Sequence, residues 1–109
     1  MSKGVIVLVP FPFTDLSGNK VRPCLVLYEQ KNGEDCIVSF ISSVKRPKLG
    51  TNEIRLKATT ANGLKADSVI KMDKIATLQK KIVLGELGRL EPALMKDVDS
   101  RLKKIFGLK

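Results

Sequence analysis

The stretch Arg22-Pro23-Cys24-Leu25-Val26-Leu27-Tyr28-Glu29-Gln30-Lys31-Asn32-Gly33-Glu34-Asp35-Cys36-Ile37-Val38-Ser39-Phe40-Ile41-Ser42-Ser43 decides the fold. Two runs rich in β-branched and aromatic residues, 22–30 and 35–43, flank a short polar gap, which is the pattern of two strands. Asn-Gly between such runs is a strong hairpin signal, because both residues tolerate the positive φ of a tight turn. With Asn32-Gly33 as a two-residue turn, Lys31 faces Glu34, Leu27 faces Val38, Leu25 faces Phe40 and Arg22 faces Ser43. That register carries an arginine to a pair of serines at the far end of the hairpin. Arg22 and Ser43 then share a face and Ser42 points to the other; one bulge would exchange the two serines.

Upstream lies Val9-Pro10-Phe11-Pro12-Phe13-Thr14-Asp15-Leu16-Ser17-Gly18-Asn19-Lys20-Val21-Arg22-Pro23. It links a first strand, 4–10, to the hairpin. Three prolines stiffen it, since each fixes φ and lacks an N–H donor, so it reads as a loop and not as a central strand. A rigid loop ending in an arginine suits a charged ligand; the plainer reading is a structural loop with a solvated arginine.

Downstream, residues 44–52 form a basic loop. Residues 53–57 alternate as a short strand, with Ile54 and Leu56 on one side. Residues 59–65 form a turn around Asn62-Gly63. Residues 67–72 and 73–78 read as strand, as one continuous element or as two, while 80–85 suit a helical turn and 87–90 a short extended piece. A helix follows from Pro92, which suits a first turn, to a stop at Gly107. Leu94, Met95, Val98, Leu102, Ile105 and Phe106 form one stripe at 3–4 spacing, which is expected to pack on the sheet. Tyr28, in mid-strand, is expected to pack as well. Many short strands and one terminal helix point to a single domain over 1–109, mainly β and strongly bent into a small barrel.

The 109 residues carry 20 Lys and Arg against 11 Asp and Glu, a formal net charge of +9. Such an excess favours a polyanionic partner: nucleic acid, an anionic membrane or an acidic protein segment. No apolar run approaches the roughly 20 residues of a membrane span, and the amino-terminal residues lead straight into a strand, so a cytoplasmic location is the default expectation. The chain holds no histidine and two cysteines, Cys24 and Cys36. A zinc site and a Cys–His nucleophile are thereby disfavoured. Twelve positions apart on the two hairpin limbs, the thiols are expected to be free.

Several segments together resemble the PemK/MazF family of toxin ribonucleases from toxin–antitoxin pairs. They are Gly4-Val5-Ile6-Val7, Pro10-Phe11-Pro12-Phe13, Lys20-Val21-Arg22-Pro23, Phe40-Ile41-Ser42-Ser43, Gly63-Leu64, Ser68-Val69-Ile70-Lys71-Met72-Asp73-Lys74-Ile75 and Leu87-Gly88-Arg89-Leu90. The order is that of the family and spans nearly the whole chain. Val5 stands where the family often has aspartate. The resemblance implies an SH3-like barrel of the CcdB/MazF type with a carboxyl-terminal helix, a symmetric homodimer, and a cognate acidic antitoxin with which DNA is bound. It implies cleavage of single-stranded RNA without metal or cofactor, by attack of the 2′-hydroxyl on the adjacent phosphorus.

By the same resemblance Arg22, Ser42, Asp73 and Lys71 are the catalytic positions. Arg22 offers a planar fork that matches phosphate. The family hydroxyl falls on Ser42, whereas the hairpin parity favours Ser43; Ser42 is taken here. Asp73 and Lys71, two apart on a strand, share a face, and Asp73 becomes a general base if burial raises its pKa; a surface ion pair is the alternative. For RNA contact the candidates are Lys20, Phe13, Lys45, Arg46 and Lys48, with Phe11 as a further stacking surface. Two other functions compete. One is a CcdB-like toxin that binds DNA gyrase, but the chain lacks tryptophan and ends in Phe106-Gly107-Leu108-Lys109. The other is a barrel that binds nucleic acid without cleaving it.

Overall fold

The computed structural model describes residues 1–11, 20–43 and 48–109. Six strands form one antiparallel sheet: β1 (Val5–Phe11), β2 (Lys20–Glu29), β3 (Asp35–Ser43), β4 (Glu53–Leu56), β5 (Ser68–Gln79) and β6 (Gly85–Arg89). Their order is β4-β5-β3-β2-β1-β6. A 3-10 turn spans Lys80–Ile82, and the helix α1 spans Pro92–Ile105. The sheet curls into a half-barrel with α1 against one face, as the pattern of strands and terminal helix implies.

Both faces of the central strands are buried, which is why they read as unbroken apolar runs. Alternation sorts these runs into two clusters. Ile6, Leu25, Ile41, Ile54, Leu56, Ile70 and Met72 point to one side, where Leu90 and Val98 complete the cluster and Leu94, Met95, Leu102 and Ile105 of α1 cover it. Val5, Val7, Val9, Cys24, Val26, Cys36, Val38 and Leu78 point to the other side, against Met1, Phe40, Ile82 and Val83. Each fully buried aliphatic chain contributes about 1.5–3 kcal/mol relative to exposure. Phe106 is 61% exposed and so leaves the expected stripe. It follows the last helical residue, where the chain turns away: Leu108 N–H donates to Lys103 O and Gly107 N–H to Lys104 O, with Gly107 at φ +67°. This pair of bonds is the glycine stop expected at that place.

The hairpin differs from expectation in two ways. The loop spans four residues, 31–34, because Gln30 N–H donates to Asp35 O. Among the described residues only Gly4, Gly63 and Gly107 have positive φ, so Asn32-Gly33 does not form the tight turn that would need it. The register near the turn is nevertheless the expected one, with Glu29 opposite Cys36 and Tyr28 opposite Ile37. A bulge at Leu27 then shifts it by one: Val26 opposes Val38, Leu25 opposes Ser39 and Cys24 opposes Phe40. The expected pairs Leu27–Val38 and Leu25–Phe40 are therefore replaced. Tyr28 is 53% exposed and does not pack as expected.

Among the described residues Pro10 lies in β1 and Pro23 in β2, within the strands expected over 4–10 and 22–30. Pro23 opposes Leu8 of β1, beyond the last described pair of β2 with β3, Cys24–Phe40. A strand with one partner there loses no ladder bond to the missing N–H.

The segments 67–72 and 73–78 join as β5, with a bulge. Ser39 opposes Ile75 while the next residue, Phe40, opposes Lys71, so Met72-Asp73-Lys74 are extra. The ladder opens there and the strand bends. The buried Ser39 hydroxyl donates to Lys71 O at 2.8 Å, filling the gap. On the other side Met72 N–H still reaches Asn52 O at 2.9 Å. The turn around Asn62 closes the molecule between β4 and β6. Asn62 is buried; its Oδ1 accepts from the N–H groups of Thr59 and Leu64, and its Nδ2 donates to Lys57 O.

Candidate active site

The bulge at Leu27 shifts the hairpin register by one on the side that leads to Arg22 and the two serines. The described ladder of β2 with β3 ends at the Cys24–Phe40 pair, and beyond it Arg22 and Ser42 line one cavity. Alternation then brings Arg22 and Cys24 to the same side of β2, and Phe40 and Ser42 to the same side of β3. Lys71 joins them from β5, where it opposes Phe40. Val9 joins from β1, opposite Arg22. Together Val9, Arg22, Cys24, Phe40, Ile41, Ser42 and Lys71 line a cavity of about 180 Å³. Ser43 lies elsewhere, on a second groove lined also by Leu8, Val21, Pro23, Leu64 and Leu87. Arg22 borders both spaces.

The cavity carries two cations and a hydroxyl above an apolar floor. The Ser42 hydroxyl makes a long bond, 3.5 Å, to Ser43 O. Cys24 is fully buried, and burial followed by the nearby Cys36 thiol pushes its pKa up to about 12. Burial likewise raises the Cys36 thiol. Neither thiol is bridged, as the hairpin separation implied. A thiol so shifted stays neutral and non-nucleophilic. Cys24 therefore behaves as part of the apolar floor.

The other expected residues are distributed as follows. Asp73 sits in the β5 bulge, exposed, and is not among the residues that line the cavity. Met72 is buried between Lys71 and Asp73. The expected burial of Asp73 is absent: it is exposed in the bulge. Lys20 is exposed at the start of β2, two positions before Arg22, and Lys48 is exposed within the basic loop 44–52. Phe13, Lys45 and Arg46 lie outside the described residues, as does the Phe11 side chain. Sequence reasoning missed Val9, Cys24 and Phe40. The signal was present for Phe40, which stands two residues before Ser42 on the same strand and so on the same face.

A curled antiparallel sheet with a terminal helix, bearing a guanidinium, an ammonium and a hydroxyl around one cavity, defines a small barrel-type domain suited to hold a phosphate group. The chain matches the family model described as PemK-like, MazF-like toxin of type II toxin–antitoxin system over residues 2–106, and it belongs to that family. Solved structures of similar fold include an endoribonuclease in complex with its cognate antitoxin from mycobacterial species, at 19% identity and TM-score 0.77, covering 100% of this chain and 97% of the other. A second is MazE–MazF from Deinococcus radiodurans, at 18% identity and TM-score 0.78, with coverage of 100% and 97%. The toxin MazF-mt6 of Mycobacterium tuberculosis is a third, at 19% identity and TM-score 0.75, covering 96% and 98%. At these identities the likeness concerns the fold. A sequence comparison with curated proteins finds no match. Among the described residues no helix is long and apolar enough to cross a membrane.

Proposed function

We propose that this toxin-family chain is a metal-independent endoribonuclease that cuts single-stranded RNA selectively at certain sequences. The observation that carries the reading is the convergence of Arg22, Ser42 and Lys71 on one cavity while Ser43 stays outside it. The substrate's 2′-hydroxyl is the nucleophile. It attacks the adjacent phosphorus, the bond to the 5′-oxygen of the next nucleotide breaks, and the products are a 2′,3′-cyclic phosphate and a 5′-hydroxyl end. The chain's part is electrostatic. The Arg22 fork and the Lys71 ammonium hold the phosphoryl oxygens as charge builds, and the Ser42 hydroxyl donates to one of them. Asp73 is assigned the lesser role of an outlying proton acceptor. Lys20 and Lys48, with Phe13, Lys45 and Arg46, guide the strand.

The partner of opposite charge is a cognate acidic antitoxin, in line with the mycobacterial relative solved with its own. The groove beside Arg22 suits it: apolar antitoxin side chains would rest on Leu8, Val21, Leu64 and Leu87, and a carboxylate would pair with Arg22 or Lys65. RNA and antitoxin then compete for Arg22. The working form is proposed to be a homodimer, and light scattering that finds a monomer at micromolar concentration would overturn that part.

The deciding assay incubates the pure chain with a long RNA in EDTA and maps the ends. Discrete cuts with 5′-hydroxyl ends are expected. Arg22→Ala should lower the rate by about 10²–10³, the cost of one such donor. Asp73→Asn should cost less than about tenfold, because the side chain stands outside the cavity. Intact RNA with the wild-type chain, or full activity of Arg22→Ala, would sink the reading; a gyrase-binding toxin would give the former.

A further inference from the structure

We infer that Phe40 is the stacking surface for one unpaired base next to the scissile phosphate, with the fully buried Val9 and Cys24 as the rigid apolar backing beneath it. The inference rests on the proposed RNA-cleaving reading and adds a binding site to it. The cavity is two-sided in chemistry. Its lining divides into the polar Arg22, Ser42 and Lys71, here called the rim, and the apolar Val9, Cys24, Phe40 and Ile41, here called the floor. Concave sites lined mainly by apolar groups, with a few convergent polar ones, are the usual form of a small-ligand pocket. A nucleotide has the same division, an anionic phosphate joined to a planar base.

Size narrows the occupant. The volume of about 180 Å³ is below the roughly 300–1,000 Å³ of sites for drug-sized molecules. It suits one planar group and excludes a stacked pair. The floor is rigid, since Val9 and Cys24 are fully buried in the sheet. Its thiol is held neutral by burial, so no charge opposes an uncharged base. Phe40 itself is half-buried, packs against the valine cluster and lines the cavity. The rim and floor come from neighbouring positions on the same strands: Arg22 with Cys24, and Ser42 with Phe40. A phosphate on the rim therefore leaves the attached base over the floor. Single-stranded RNA supplies such unstacked bases, and aromatic side chains are their common support.

The test compares strands that differ only in their bases. The probes are a short single-stranded 2′-deoxy oligonucleotide, which cannot be cut by 2′-hydroxyl attack, and an abasic sugar–phosphate strand of equal length. For the wild type, the base-bearing strand should bind about tenfold or more tightly than the abasic one, the size of one base–aromatic stack. Phe40→Leu keeps the pocket apolar and removes the ring. It should close that gap by about tenfold and leave abasic binding unchanged. Arg22→Ala should weaken both strands alike. In the wild-type chain, nuclear magnetic resonance should show upfield shifts of the Phe40 ring protons on adding the base-bearing strand and not the abasic one. That measurement stands even where Phe40→Leu folds poorly. Equal loss for both strands in Phe40→Leu, or ring protons that do not shift, overturns the base pocket. Failure of the cleavage reading is separate: the wild type would then bind these strands and leave RNA intact.

Discussion

Ser42 and Ser43 are adjacent and chemically identical, yet the fold separates them. One lines the cavity with Arg22 and Lys71, the other the neighbouring groove. If the site works through a hydroxyl, Ser42→Ala should lower the cleavage rate by about tenfold or more, and Ser43→Ala by less than about threefold. Equal losses, measured by single-turnover cleavage, would remove the hydroxyl from the mechanism. The two cysteines make a prediction of a different kind. The Cys24 thiol rises from about 9 to about 12, and a thiol is charged only when deprotonated. Above pH 9 the unfolded chain therefore loses a proton that the folded chain keeps. Stability conferred by the neutral thiol is complete below pH 9 and declines as pH rises toward 12, with a slope of up to about 1.4 kcal/mol per pH unit. Denaturant titrations from pH 8 to 11 should show a steeper decline for the wild type than for Cys24→Ala. Parallel declines would mean that Cys24 does not contribute.

Bulges in two elements do most of the shaping. The bulge at Leu27 in β2 shifts the hairpin register by one, and past the bulge at Met72-Asp73-Lys74 in β5 Lys71 opposes Phe40 at the cavity while Asp73 is not among its lining residues. Another element, the turn 59–64, is held by a single side chain. Asn62 serves three backbone groups from a buried position and also gives its N–H to Thr59 Oγ1. Close packing surrounds this turn: a Cβ on Gly63 would lie 2.2 Å from Leu87 O, and one on Gly88 would lie 2.2 Å from Ala61 O. Asn62→Ala leaves several polar groups without partners in a space with no slack. A loss of about 3 kcal/mol is expected by chemical denaturation, since each buried orphan costs about 1–3 kcal/mol. A loss under about 1 kcal/mol would show that water replaces the side chain.

For the molecule as a whole, the +9 charge bears on binding more than on folding. Affinity for a single strand should fall with salt at a logarithmic slope of about −0.7 per phosphate neutralised. Arg22→Ala should reduce the slope by about one such contact, in anisotropy titrations across a range of salt. An unchanged slope would place Arg22 away from the phosphate.

From the residues alone came the mainly β fold with its terminal helix, the glycine stop of that helix, the hairpin, and the family that the ordered motifs resemble. These are legible because they rest on local causes: alternation, turn residues, and the fixed φ of proline and the free φ of glycine. The neighbourhood of Arg22 was legible to within one residue. Register is counted from the turn, and the count was correct as far as Tyr28. Tertiary structure decided the remainder. A bulge arises where a strand must bend to close around its core, and the bending is set by all the strands together. Nothing local to Leu27 or Met72 announces it. The same collective packing buried Cys24, left Tyr28 in solvent, and brought Val9 and Phe40 under the rim of a cavity drawn from four strands.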